Sequence, residues 1–229
     1  MTAAVARRVR WPGERRFYIF MALALLATVV AGFSRSFFLR PWFPGHPSPP
    51  ESIFYFHGAV FAAWYLLLVV QPSLIATGHF AWHRMLGRFG AALATAMLLL
   101  GCYVALVAAA RPGGFIAVPL AEMLLFGIFV SLAIAKRHVA QTHKRLMLLA
   151  AISLLVAAVA RLPLPFMENG GPLAFFGVQD FLLVPLVVWD IATRRRLHAV
   201  TLWGGLLLIA SQPLRLWLSG TEGWLSFAR

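Results

Sequence analysis

Seven stretches of this chain are long and apolar enough, or nearly so, to cross a lipid bilayer, and this constrains the fold more than anything else. A spanning helix needs about 20 mostly apolar residues, because about 30 Å of hydrocarbon is crossed at about 1.5 Å per residue. The stretches are 17–33, 53–76, 89–110, 115–135, 146–162, 173–192 and 200–218. None carries the polar face that a helix of a soluble bundle needs. Composition agrees: 61% of the 229 residues are apolar and 12% are charged, where a soluble domain has about 25% charged. The expected fold is all-α, a polytopic membrane protein with seven transmembrane helices in one domain, 17–218. A basic segment, 1–16, precedes that domain and a short tail, 219–229, follows it. The single cysteine, Cys102, leaves no intrachain disulfide and no thiolate metal cage.

Twenty Lys and Arg against seven Asp and Glu give a net charge of +13. In a soluble protein that excess would suggest nucleic acid. Here the basic residues sit between apolar runs, with no RNA-binding signature or zinc-finger spacing, so the expected partner is the bilayer and nucleic acid is excluded. With the N-terminus inside, fourteen of the twenty lie on the inner side: Arg7, Arg8, Arg10, Arg15, Arg16, Arg84, Arg88, Lys136, Arg137, Lys144, Arg145, Arg194, Arg195 and Arg196. The remaining six, Arg35, Arg40, Arg111, Arg161, Arg215 and Arg229, lie outside. The positive-inside rule then puts the N-terminus in the cytoplasm and the C-terminus outside a bacterial plasma membrane. The first run has a basic lead, but its length and the lack of an A-x-A site point to an uncleaved helix. Arg111-Pro112-Gly113-Gly114 reads as an outer turn, and 41–50 as a stiff Pro-rich connector. Pro185 is expected to kink the sixth helix. Gly90, Ala94, Gly101 and Ala105 are spaced for close helix packing.

After a peripheral first helix, the chain reads as three hairpins. Each has a basic inner loop and a histidine just before the returning helix. The three loops are His83-Arg84-Met85-Leu86-Gly87-Arg88, His143-Lys144-Arg145-Leu146-Met147 and Arg194-Arg195-Arg196-Leu197-His198. The H-R-x-L-G-R and H-K-R-L-M stretches resemble an uncharacterised multi-pass bacterial membrane protein family, a domain of unknown function. Asp180, Asp190, His198, Ser211-Gln212-Pro213 and Trp224 look like part of the same pattern, over about 54–224. The resemblance implies the multi-helix fold and no assigned reaction.

Ionisable residues inside spans are costly, so each is a functional candidate. An inner layer holds His83, His143, His198 and Asp190, with His79 and His138 nearby. Three imidazoles and a carboxylate are an acceptable shell for a divalent metal. Two facing imidazoles are the usual axial pair for haem b, with Arg84, Lys144 and Arg145 near for its propionates. Opposite them, only His57 lies within a span, so at most one haem is expected. His79-x-x-x-His83 lacks the Glu of a metalloprotease helix, since Phe80 stands there. For each single histidine, capping a helix or joining the basic belt competes with these roles.

An outer layer holds His57, Glu122, Arg161, Asp180 and Arg215, with Gln179 and Gln212 beside them. It reads either as two Arg–carboxylate pairs that join helices or as a quinone, proton or small-polar-ligand site. The activity expected from the inner layer is redox chemistry with one haem b or metal. The alternatives are a cofactor-free transporter of protons or a small polar solute, and a structural or assembly subunit.

Overall fold

The computed structural model of the protein describes residues 13–46, 51–110 and 116–221. The basic segment before Gly13, the end of the Pro-rich connector (47–50), the 111–114 turn and the tail beyond Thr221 lie outside the described residues. Within them all regular structure is helical. The α-helices are α1 (Glu14–Gly32), α2 (Ser52–Ala76), α3 (Phe80–Ala109), α4 (Ala117–Ala135), α5 (Ala140–Ser153), α6 (Val156–Val159), α7 (Pro165–Phe181), α8 (Val184–Arg194) and α9 (Ala199–Ser219), with a short π-helix (Ser34–Phe38) and a 3-10 turn (Arg40–Trp42) after α1. Six stretches are long and apolar enough to cross a membrane: α1, α2, α3, α4, Asn169–Arg194 and α9.

These segments are helical because helices satisfy their own backbone groups, which an apolar medium cannot do. Side-chain caps are correspondingly scarce. Among the described α-helices only α9 has one at its N-terminus, from His198. The α2–α3 connection shows how tight turns are made. Gly78 takes a left-handed φ of 84°, His79 N–H bonds Leu74 O at 2.8 Å and Gly78 N–H approaches Ile75 O at 3.4 Å. That Schellman-type closure returns the chain at once, and glycine is the residue that tolerates it.

The first helix is part of the core, not peripheral as its sequence position suggests. It packs on α2, α5 and α6, and Met21 and Leu25 are buried. At its start Arg15 Nη1 donates to Ala76 O at 2.9 Å, and Phe17 stacks on Trp189 with centroids 4.4 Å apart. At its end Gly32 meets the Ala158 backbone, where a Cβ would lie 2.1 Å from the carbonyl oxygen. Thus α1 runs parallel to α5–α6 and antiparallel to α2. Small residues allow the approach. The same device operates on α3, where Gly90, Ala94, Gly101 and Ala105 are all buried. A Cβ on Gly101 would stand 2.2 Å from Met123 Sδ of α4.

The segment 140–159 is the most enclosed part of the fold, with every residue from Leu148 to Val156 buried. Its polar start, Gln141 to Arg145, sets it apart from the six apolar spans. It is also interrupted between α5 and α6. There Leu154 and Leu155 N–H bond Ala151 O (3.3 Å) and Ile152 O (3.1 Å), three residues back instead of four. Side chains cover the carbonyls of this tightened turn: Tyr65 Oη donates to Ala151 O at 2.8 Å, and Gln179 Nε2 to Ile152 O at 2.8 Å. A second interruption separates α7 from α8, with Pro185 in the first turn of α8. Proline has no N–H and crowds the carbonyl four residues back, so the kink read from sequence is present. Gln179 of α7 reaches the turn that ends α5, so the two interruptions adjoin.

Gly32→Ala should therefore be destabilising, because the obstruction is backbone and cannot rotate away. An overpacking cost of about 1–3 kcal/mol corresponds to a fall of roughly 5 °C in the unfolding midpoint of the detergent-purified protein. Gly177→Ala, in a helix with nothing within 4 Å of the added carbon, should leave the midpoint unchanged or raise it.

Candidate functional site

Antiparallel packing collects the first turn of α1, the α2–α3 loop, the start of α5 and the α8–α9 loop at one end of the bundle, the basic end. Its centre is an ion pair. Arg145 of α5 and Asp190 of α8 are both 0% exposed. Arg145 Nε lies 3.1 Å from Asp190 Oδ1 and 3.4 Å from Oδ2, and Nη2 donates to Oδ1. Asp190 Oδ2 also accepts from His198 N–H at 3.1 Å and Thr201 Oγ1 at 2.5 Å. Arg145 Nη1 donates to Gln141 O at 2.8 Å and Gln141 Oε1 at 2.7 Å. The chain of bonds continues outward. Gln141 Nε2 donates to Glu14 Oε1 at 2.9 Å, and Lys144 pairs with the same carboxylate. One network therefore joins α1, α5, α8 and α9, with little unbonded capacity left on Asp190.

The inner histidines do not converge. His198 sits at the N-cap of α9, where Nδ1 accepts Val200 N–H at 3.1 Å. That is a structural use of the ring. His143 Nδ1 is 2.8 Å from Ala133 O, so it carries the proton and Nε2 the lone pair. His83 is within electrostatic reach of His143. Its Nδ1 lies 3.4 Å from Gln71 O and also faces the Gln71 side-chain amide, so the ring is held against the end of α2. His79 is exposed and bonds Thr77 Oγ1 at 2.8 Å, and His138 is exposed in a loop. Among the described residues no three His, Cys, Asp or Glu side chains are placed to share a metal ion. The expected shell of His83, His143, His198 and Asp190 is not assembled, because Asp190 is taken by Arg145 and His198 by its own helix.

At the opposite end the polar groups are close but unpaired. Arg215 of α9 is 1% exposed. Its Nη2 donates to Ser211 Oγ at 2.7 Å, while Nε and Nη1 have no partner. Its guanidinium lies 5.8 Å from the centroid of Phe176. Glu122 of α4, 7% exposed, and Asp180 of α7 are both within electrostatic reach of Arg215. Neither forms an ion pair with it. Asp180 Oδ1 accepts from Gln212 Nε2 at 2.7 Å, and buried Gln179 keeps an unbonded Oε1. Arg161, just after α6, donates to Ala157 O at 2.7 Å and lies 5.2 Å over Phe33, while still feeling Glu122. The structure thus brings together Glu122, Asp180, Arg161 and Arg215. It leaves His57 apart, its ring packed on Phe61 at 4.0 Å with Nδ1 buried and unbonded. The two expected Arg–carboxylate pairs are not formed.

Tyr65 escaped the sequence reading. It shares a face of α2 with His57 and Phe61, at four-residue spacing, and it is near Glu122 while capping the α5 turn. A buried tyrosine well inside a span, away from the aromatic belt, was the available signal. Comparisons of the chain with protein families, with curated proteins and with solved structures find no match.

Asp190→Asn strands the Arg145 charge in the interior and should cost about 3–5 kcal/mol, read as a large drop in the detergent unfolding midpoint. Arg145→Met combined with Asp190→Leu should cost less than either single change. His198, outside the spans, gives a pH dependence. Burial and the charges of Arg145, Arg194 and Lys144 push its imidazole from 6.5 down to about 4, against the pull of Asp190. Between those values the unfolded chain binds a proton that the native cap refuses. Its contribution is therefore full above about pH 6.5 and is lost as pH falls toward 4. A His198→Asn variant keeps a cap that does not titrate, and its stability should fall less than wild type across that window.

Proposed function

We propose that this is a seven-span protein of a bacterial plasma membrane that binds and passes a small polar solute or protons, without a bound cofactor. The reacting group would be Glu122, Asp180 and Arg215, with Arg161 at its edge. The carrying observation is the state of Arg215. It is a buried guanidinium with two nitrogens unbonded, next to two carboxylates that it does not grip. A merely structural pair closes on itself, as Arg145 and Asp190 do.

Several features support the accompanying topology. The twenty residues 140–159 would extend about 30 Å as a nearly straight helix, enough for a seventh crossing. Being enclosed by other helices, this segment has no need of a lipid-compatible surface. Arg15, Arg16, Arg84, Arg88, Lys136, Arg137 and Arg194 to Arg196 fall at one end of the bundle, which favours that end in the cytoplasm. Interrupted helices beside polar side chains are the usual construction of solute sites in membranes. The redox reading retains one supporting feature, His83 and His143 with Nδ1 each near a backbone carbonyl, Gln71 O at 3.4 Å and Ala133 O at 2.8 Å, but neither Asp190 nor His198 joins them, both being engaged elsewhere.

Substituted-cysteine labelling tests this reading without knowing the solute. In a Cys102→Ala background, Ser211→Cys places a thiol beside Arg215, and Leu214→Cys places one on the exposed side of α9. A charged, membrane-impermeant thiosulfonate added outside sealed cells should label Ser211→Cys at least tenfold faster. Equal, negligible labelling of both would show a sealed site and overturn the proposal.

A further inference from the structure

The open group at the α4–α7–α9 end has a chemical polarity that narrows what it takes, and this step rests on the solute-binding reading above. Unused donors come from α9, as Arg215 Nε and Nη1. Unused acceptors come from α4 and α7, as Gln179 Oε1 and the carboxylate of Glu122, which has no hydrogen-bond partner among the described residues. Arg161, exposed at the edge, stands outside this enclosed set. A lone anion would use the donors and leave the acceptors unbonded, and a lone cation would do the reverse, which is costly in a low-dielectric interior. A dipolar solute meets both kinds of unbonded group.

We infer that the site takes a small zwitterion, a compact α-amino acid, with its carboxylate on Arg215 and its ammonium toward Glu122. Both contacts are then charge-assisted hydrogen bonds, stronger than those a neutral amide would make. The guanidinium is already fixed for this role by Ser211 Oγ and the face of Phe176, so little ordering is left for binding to supply. Size is limited by large neighbours, Phe176 beside Arg215 and Tyr65 beside Glu122.

The test uses the full chain in detergent and reads its thermal unfolding midpoint. The probes are alanine, glycine and serine. Each is compared with propionate, ethylamine, an equal mixture of the two, and propionamide. At least one amino acid should raise the midpoint by several degrees at a concentration where none of the four controls does. Glu122→Gln and Arg215→Gln should each abolish the shift. Arg215→Lys, which keeps the charge but loses the planar fork, should weaken the apparent affinity at least tenfold. An equal shift with propionate or propionamide would overturn the inference in favour of an anion or a neutral amide. So would the absence of any amino-acid shift. If Ser211→Cys is labelled from outside while no amino acid shifts the midpoint, the solute-binding reading stands and the zwitterion falls. If there is neither labelling nor shift, both fall.

Discussion

The buried Arg145–Asp190 pair is the interaction on which the arrangement of the bundle depends. A charge inside an apolar bundle has no water to hold it, so each partner is tolerable only in the grip of the other. Asp190 reinforces the condition by accepting from the His198 backbone and Thr201, which locks the α8–α9 turn to α5. Gln141 and Glu14 extend it to α1. Well-packed apolar residues would serve stability as well or better. What the pair supplies is register: it meets at only one sliding position of α5 against α8, and the depth of everything further along both helices follows from that position.

Depth matters because both helices are interrupted at matching levels. The causes differ. Pro185 breaks one by chemistry that no neighbour can repair, since the N–H is missing. The α5–α6 turn has no proline and no glycine, and it is stabilised from outside by Tyr65 on one carbonyl and Gln179 on the next. Gln179 spends its amide donor there and keeps its oxygen free. Its neighbour Asp180 points to α9 instead, where Gln212 meets it. The interruption of the central helix is thus built from the same short piece of α7 that supplies a carboxylate to the open group.

The fold class was legible because bilayer-scale apolar runs are a property of composition over about 20 residues, which needs no tertiary knowledge. Pro185 and the small residues of α3 were legible for a similar reason, since each carries its structural consequence in its own side chain. The α5–α6 interruption was not, because its causes lie at Tyr65 and Gln179, far away in sequence. The roles of the histidines were hidden too. A histidine near a helix start suits a cap or a ligand equally well, and only the partner of Nδ1 separates them. The two polar layers were visible, but which of them holds an ion pair was not. Pairing among the outer groups was one of two readings left open, and the ion pair forms at the inner end, where Arg145 reaches across 45 residues to Asp190.

The outer group contrasts with that closed pair. An arginine side chain is long and flexible enough to reach a nearby carboxylate, and an unpaired guanidinium in an apolar interior is expensive. Arg215 nevertheless stays away from Glu122 and Asp180. Its Nη2 is drawn back along its own helix to Ser211, one turn earlier, and Phe176 offers its ring to the cation. Asp180 is likewise diverted, to an amide of α9. Each charge has been given a weaker, neutral partner that fixes its position without neutralising it. Such an arrangement gains nothing for folding that the direct pairs would not give more cheaply. The unmade ion pairs are what distinguish this end of the bundle from the end held by Arg145 and Asp190.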